Sequence, residues 1–152
     1  MRIESVKDLI EWTQARHAAI AHCLKQCATD NPDERASMIL HYLASHEAKL
    51  EKTVAMLKDR AVQETGEVYD NPLSAGLDAE EQPDCNGRFA NMSADQVRDK
   101  VFAYHDQIIR FYQDMIGKVK DPQAVAMMQD VLDMELQEAK LLVRQTGRMD
   151  DI

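Results

Sequence analysis

Residues 101–115 read VFAYHDQIIRFYQDM and combine the apolar face of a helix with a histidine. The residues that share this face recur at alternating intervals of four and three: Val101, His105, Ile108, Tyr112 and Met115. Positions at that spacing lie on one side of an α-helix. The stretch therefore predicts a helix whose buried face carries an imidazole.

The histidine is one member of a pair that occurs twice in the chain. His105 precedes Glu135 by 30 residues, and His17 precedes Glu47 by the same 30 residues. Two copies of one pair are typical of a duplicated helical hairpin. All four residues fall within the apolar series of their own helices, and Glu138 continues the series of the last helix. We therefore expect four helices that each bring a polar group to one core.

Apolar residues recur at helical spacing over four stretches: 3–28, 33–64, 94–118 and 122–145. Very short breaks at Pro32 and Pro122 predict that neighbouring helices are antiparallel. Residues 66–92 lack the periodicity and predict a long crossover, with a short helical turn near residues 77–81. Residues 1–152 are thus expected to form a single all-α domain, a four-helix bundle of two antiparallel helical hairpins joined by a long crossover. This is the ferritin-like arrangement of a bundle.

Composition limits the class of partner. The chain has 27 acidic and 18 basic residues and a formal net charge of −9, which does not attract nucleic acid or an anionic membrane. An acidic protein is better suited to binding metal ions. The N-terminus has no apolar leader and no apolar run reaches transmembrane length. The sequence therefore predicts a cytoplasmic protein.

Cys23 and Cys27 are predicted to be buried reduced thiols. Cys23, Cys27 and Cys85 are odd in number and form no CxxC pair, so neither a disulfide framework nor a zinc knuckle is indicated. Cys23 and Cys27 lie four residues apart on one helix, and a contact between them is the alternative.

Five polar residues are expected to share the core: His17, Glu47, His105, Glu135 and Glu138. Buried carboxylates are costly when they are unpaired. A transition-metal cation would hold carboxylates and neutral imidazoles together, and iron, manganese or zinc suits such ligands. The alternative is a His–Glu hydrogen-bond network that contains no metal.

The second hairpin resembles a rubrerythrin-type member of the ferritin-like superfamily. The resemblance is carried by VFAYH at 101–105, FY at 111–112, DP at 121–122 and MELQE at 134–138. The first hairpin, with HEAKL at 46–50, resembles its counterpart more loosely. The resemblance implies a buried non-haem metal site, iron first, that serves oxidoreductase chemistry or metal handling.

The match to that family is partial at the ligand positions. Glu47 and Glu135 stand where the family has the bridging carboxylates of a di-iron site. His17 and His105 stand where the family has a glutamate on the first and third helices. The resemblance thus implies that imidazoles have replaced carboxylates on these two helices.

The ExxH motifs of the family are also incomplete. Leu50 and Glu138 occupy the positions of their histidines, which implies an asymmetric dinuclear or a single-metal site. The two CxxC pairs of a rubredoxin-like module are absent, so redox chemistry would need an external electron donor. Homodimers are expected for bundles of this type. Tyr104 and Tyr112 are expected either to hydrogen-bond to the site carboxylates or to pack in the core.

Three functions remain open from the sequence. The first is a ferritin-like metalloprotein, with or without enzymatic activity. The second is a degenerate bundle that lacks catalysis and serves as a structural or partner-binding protein, which Leu50 favours. The third is a haemerythrin-like oxygen binder. It is the weakest, because no HxxxE follows His46 and the fourth helix has no histidine.

Overall fold

The computed structural model describes residues 1–83 and 85–150. Its elements, in chain order, are β1 (Arg2–Ser5), α1 (Val6–Asp30), α2 (Glu34–Thr65), α3 (Glu67–Asp70), β2 (Pro72–Asp78), α4 (Ala94–Lys118) and α5 (Pro122–Asp150). A 3₁₀ turn, Arg88–Asn91, precedes α4. The four long helices form the bundle, and the predicted all-α class is confirmed.

Local capping explains where the long helices begin. The Ser5 side chain accepts from the Asp8 backbone N–H at the start of α1, and Asp33 caps α2 in the same way. Ser93 and Gln96 form the predicted capping box of α4. These side chains satisfy backbone N–H groups that have no partner inside the helix.

Each short link produces an antiparallel hairpin. The Ser37 hydroxyl, early in α2, donates to the carbonyl of Ala28, late in α1, at 2.6 Å. The α1 helix packs chiefly on α2, and α4 packs on α5. The predicted pair of hairpins joined by a long connection is therefore what the chain forms.

The N-terminus and the crossover differ from the prediction. Residues 2–5 form β1, which pairs antiparallel with β2, whereas the first helix was expected to begin at residue 3. Ile3 lies opposite Leu77, so the helical turn expected near residues 77–81 is also wrong at its start. The two strands satisfy each other's backbone groups, and no local pattern indicates a partner so distant in sequence.

The last helix is longer than predicted. It continues past residue 145 to Asp150 and includes Gly147. A glycine inside a helix costs about 1 kcal/mol relative to alanine, which weakens a helix without ending it. The Thr146 hydroxyl donates to the Leu142 carbonyl, one turn earlier in the same helix, at 2.7 Å.

The prediction of a reduced thiol is wrong for Cys23, and a disulfide forms where none was indicated. Cys23 of α1 and Cys85 of the crossover form a disulfide across 62 residues, whereas Cys27 is free and buried as expected. Spacing in the sequence does not reveal which cysteines meet in the fold. The disulfide ties the crossover to the first helix.

The apolar core lies in two halves along the bundle. One half includes Ile20, Leu24, Leu43, Val101 and Leu142. The other includes Ile10, Val54, Ile108, Tyr112 and Val131. Along α1, α2 and α4 the change from one half to the other falls at His17, Glu47 and His105. In the described part of the chain, no helix has both the length and the apolar character needed to cross a membrane.

Candidate metal centre

Four of the five predicted ligands meet between the two apolar halves. His17, Glu47, His105 and Glu135 come from α1, α2, α4 and α5 respectively, and all four are buried. We refer to these four residues as the polar layer. Since each occupies a core position of its own helix, packing of the apolar faces brings them together.

Hydrogen bonds connect the polar layer. His17 Nδ1 lies 2.6 Å from Glu47 Oε2, and His17 Nε2 lies 2.6 Å from Glu135 Oε1. His105 Nε2 contacts Glu47 Oε1. Carboxylate oxygens accept, so His17 donates from both ring nitrogens and is an imidazolium in this arrangement. Glu47 accepts from both histidines.

The charges in the polar layer shift the pKa values of its members. Burial opposes the charged form of His17, but Glu135 and Glu47 outweigh it and raise the pKa of His17 to about 10. Burial likewise opposes ionisation of Glu47, yet His105 and His17 hold its pKa well below the ordinary range. Burial opposes the charge on His105 too, but Glu47 raises its pKa. The imidazoliums and carboxylates therefore stabilise one another.

The donor set fits a transition-metal cation. His17, Glu47 and His105 each offer one ligand atom, and these three atoms lie within 4.8 Å of one another. Glu135 Oε2 and His105 Nδ1 are buried and have no hydrogen-bond partner among residues 1–83 and 85–150. Imidazole nitrogen and carboxylate oxygen are ligands of iron, manganese and zinc. The buried group could therefore hold a metal ion.

Glu138 is the one predicted ligand that the structure does not bring to this cluster. Its side chain is 31% exposed, and its Oε2 lies 3.4 Å from His46 Nε2. The His46 ring stacks on Tyr42 in the same groove between α2 and α5. Three residues along a helix fall about 60° short of a full turn, so the side chains of Glu138 and Glu135 leave the helix in directions about 60° apart.

The two tyrosines have other partners than the site carboxylates. Tyr112 donates to the Thr13 hydroxyl at 2.6 Å, and Thr13 donates to the Leu9 carbonyl. The Tyr104 hydroxyl accepts from Arg88 at 3.2 Å. Neither tyrosine therefore makes the hydrogen bond to a site carboxylate that was one of the two expected arrangements.

A cleft that the sequence did not indicate reaches the polar layer. It lies between α4 and α5, has a volume of about 420 Å³, and has His105 in its wall beside Phe102, Ile109 and Ala139. Its wall is formed by residues of α4 and α5 that lie beside the buried faces of these helices. Only their relative placement in the bundle creates the cleft.

Comparisons with known proteins identify a similar structure but no similar sequence. No protein-family model matches this chain, and no curated protein matches it. A crystal structure from Thermotoga maritima, described as that of a ferritin-like diiron-carboxylate protein, has a TM-score of 0.62 to this chain. The two are 15% identical, and the match covers 93% of this chain and 95% of the other. At this identity the similarity establishes the fold.

Proposed function

Because this chain has the ferritin-like fold, we propose that it is a metalloprotein that binds one transition-metal cation in the polar layer. Its protein ligands are His17, Glu47 and His105, with Glu135 as the fourth. One observation carries the proposal: three ligand atoms from three helices lie within 4.8 Å of one another in a buried site.

Two unpartnered atoms favour a cation over a purely hydrogen-bonded network. Buried polar atoms in proteins are almost always satisfied. Glu135 Oε2 and His105 Nδ1 are exceptions within the polar layer, as far as the described residues show. A cation would use carboxylate oxygens and neutral imidazole nitrogens that the metal-free arrangement uses for hydrogen bonds or leaves unpaired.

The ligand count supports one metal ion. The resemblance makes iron the first choice, with manganese and zinc as alternatives. Leu50 is buried at a position where the resemblance implies a ligand, and Glu138 faces His46 outside the cluster. A bound iron or manganese ion supplies one-electron redox chemistry, and a bound zinc ion supplies Lewis acidity. Glu47 and Glu135 would offset the cation's charge, and both histidines would bind in their neutral form.

The activity that we propose is oxidoreductase chemistry or metal handling. The apolar halves of the core exclude bulk water from the polar layer, and the cleft beside His105 offers small molecules a route to it. A redox cycle would require an electron donor from outside this chain. A homodimer, expected from the resemblance, belongs to the same proposal.

One observation favours the second candidate, a bundle without catalysis. His17 already donates to both Glu47 and Glu135, so these three residues satisfy much of their charge without a metal. In that case the polar layer would specify how the two hairpins pair, and the protein would act as a structural or partner-binding bundle.

Metal content separates the two candidates. We expect protein from iron- and manganese-supplemented cells to contain about one transition-metal ion per chain by elemental analysis, and added metal to raise the unfolding temperature. The double variant His17→Ala, His105→Ala should lose both properties. His22 and His41 are exposed on α1 and α2, so His22→Ala, His41→Ala is the matched control. Protein that contains no metal and gains no stability from Fe(II), Mn(II) or Zn(II) would overturn the proposal.

A further inference from the structure

Arg16 is a buried guanidinium that lies over the Trp12 and Tyr104 rings and uses only part of its hydrogen-bonding capacity. Its side chain is 2% exposed, and its Nη2 donates to Gln107 Oε1 at 2.6 Å. Glu80 Oε2 is 3.7 Å away. The Nε and Nη1 groups are buried and have no hydrogen-bond partner in the part of the chain that the structure describes. Arginine remains charged in proteins, and a buried charge is costly unless it is paired. The guanidinium therefore has unused capacity for an anion.

The Arg16 side chain forms part of the wall of a cavity. The cavity has a volume of about 250 Å³, and Arg16, Trp12 and Phe111 are in its wall. The guanidinium carbon lies 5.1 Å from the centroid of the Trp12 ring, and the Trp12 and Phe111 ring centroids are 5.1 Å apart. We call this cavity the Arg16 pocket. It combines a cationic group with an aromatic wall, as expected of a site for an organic anion.

The rim of the Arg16 pocket is acidic. Asp78, Glu80 and Asp114 line it, while the rim cation Arg110 is paired with Asp106 at 2.9 Å. Carboxylates at the rim repel an anion with several charges, such as phosphate, more strongly than an anion with one. A volume of about 250 Å³ also limits the ligand to a small molecule.

From this arrangement we infer that the Arg16 pocket binds a small monocarboxylate with an apolar body. The carboxylate takes the place of the Glu80 carboxylate beside Arg16 Nη2, and the apolar part packs on Trp12 and Phe111. Arg16 and His17 are adjacent in α1 but have different partners, since Arg16 bonds to Gln107 and His17 bonds to the polar layer. The inference is therefore independent of metal binding.

Glu80 is an internal competitor for this site. Its main-chain carbonyl accepts from Trp12 Nε1 at 2.9 Å, which holds this part of the crossover over the pocket. Its carboxylate lies 3.7 Å from Arg16 Nη2, although the side chain is 75% exposed. An exposed side chain can swing away at little cost, so an incoming carboxylate can displace it.

Trp12 offers a direct readout because it is the only tryptophan in the chain. We expect 3-phenylpropionate to change the Trp12 fluorescence of the purified 152-residue chain in a saturable way. The uncharged 3-phenylpropionamide and inorganic phosphate should produce no saturable change. Arg16→Gln should abolish the response to the carboxylate while circular dichroism confirms that the variant is folded.

A second pair of variants keeps the test decisive if Arg16→Gln does not fold. Glu80→Gln should tighten carboxylate binding by roughly twofold to fivefold, the effect expected of removing one exposed ion pair. Glu81→Gln alters a neighbouring exposed carboxylate that pairs with the N-terminus, and it should bind like the unmodified chain. The inference is overturned if 3-phenylpropionate gives no saturable response in the unmodified chain and in Glu80→Gln. It is equally overturned if phosphate or the amide binds as tightly as the carboxylate.

Discussion

His17 Nε2 lies 2.6 Å from Glu135 Oε1, although the two residues are 118 positions apart in the chain. The contact joins the first hairpin to the second at a fully buried point. A second contact joins His105 of α4 to Glu47 of α2. Here the histidine belongs to the second hairpin and the glutamate to the first. The polar layer thus fixes how the two hairpins are placed relative to each other.

Removal of Glu135 should destabilise the metal-free bundle strongly. Glu135→Ala leaves the His17 imidazolium buried with one carboxylate instead of two, and loss of a partner from a buried pair costs about 3–5 kcal/mol. Glu138→Ala is the matched control on the same helix, and its half-exposed contact with His46 should contribute less than about 1 kcal/mol. Urea denaturation of the metal-free proteins measures both. Equal losses would show that the polar layer does not stabilise the fold.

The stability of the metal-free protein should depend on pH in both directions. The pKa of His17 is raised from 6.5 to about 10, so its contribution is complete below pH 6.5 and is lost as the pH rises toward 10. The pKa of Glu47 is lowered from 4.5, so its contribution is present above pH 4.5 and is lost as the pH falls. The free energy of unfolding should therefore be greatest between about pH 4.5 and 6.5.

Chemical denaturation at a series of pH values checks this profile. The alkaline decline should be weaker in His17→Gln, because that variant has no imidazolium at this position. A stability that stays constant from pH 6.5 to 10 in the unmodified, metal-free chain would contradict the charge assignment of His17.

Metal binding should release protons if the proposed ligands are correct. His17 donates from both ring nitrogens in the metal-free arrangement, so a cation can bind only after that ring loses a proton. Apparent affinity should rise by about tenfold per pH unit for each proton released. Calorimetry of Zn(II) binding in buffers with different ionisation enthalpies counts the protons. Binding without proton release would place the metal elsewhere.

Closing the cleft beside His105 should slow access to the polar layer. Ala139 lines the cleft, so Ala139→Phe would fill part of its volume of about 420 Å³. We expect metal loading to become several-fold slower with little change in the final metal content. Ala126→Phe, at an exposed position of the same helix, is the control. Stopped-flow measurement of Co(II) uptake distinguishes the variants, and equal rates would argue for another route.

Loss of the Cys23–Cys85 disulfide should destabilise the fold. The disulfide closes a long loop, and removal of such a link typically costs about 2–4 kcal/mol. Cys85→Ser should show this loss in urea denaturation, and a reductant should reduce the stability of the unmodified chain but not that of the variant. Thiol titration of the unfolded, unreduced chain should find one free thiol, from Cys27. Three free thiols would contradict the disulfide.

Local sequence signals predicted the features whose cause is local. The start and end of α4 agree with the prediction because the Ser93 capping box and the break before Pro122 act within a few residues. The seam positions of His17 and Glu135 were predicted for the same reason, since an apolar face determines which side of a helix is buried. Their meeting follows once the faces pack.

The features that were missed depend on partners distant in sequence. Ile3 reads as the start of a helix, but it pairs with a strand more than 70 residues away. No local signal indicates that Arg16 is buried, yet Tyr104 of α4 and Glu80 of the crossover both lie against its guanidinium. Glu138 seemed to continue an apolar series, yet the groove beside His46 accommodates it.

The amino-acid sequence by itself determined four amphipathic helices, their pairing into hairpins, and the identity of the polar side chains on their inner faces, because helix period and capping are properties of neighbouring residues. The tertiary structure alone decided which four of the five polar residues converge, which cysteines join, and which partners surround a buried guanidinium. Those outcomes depend on the relative placement of elements far apart along the chain, which no local spacing encodes.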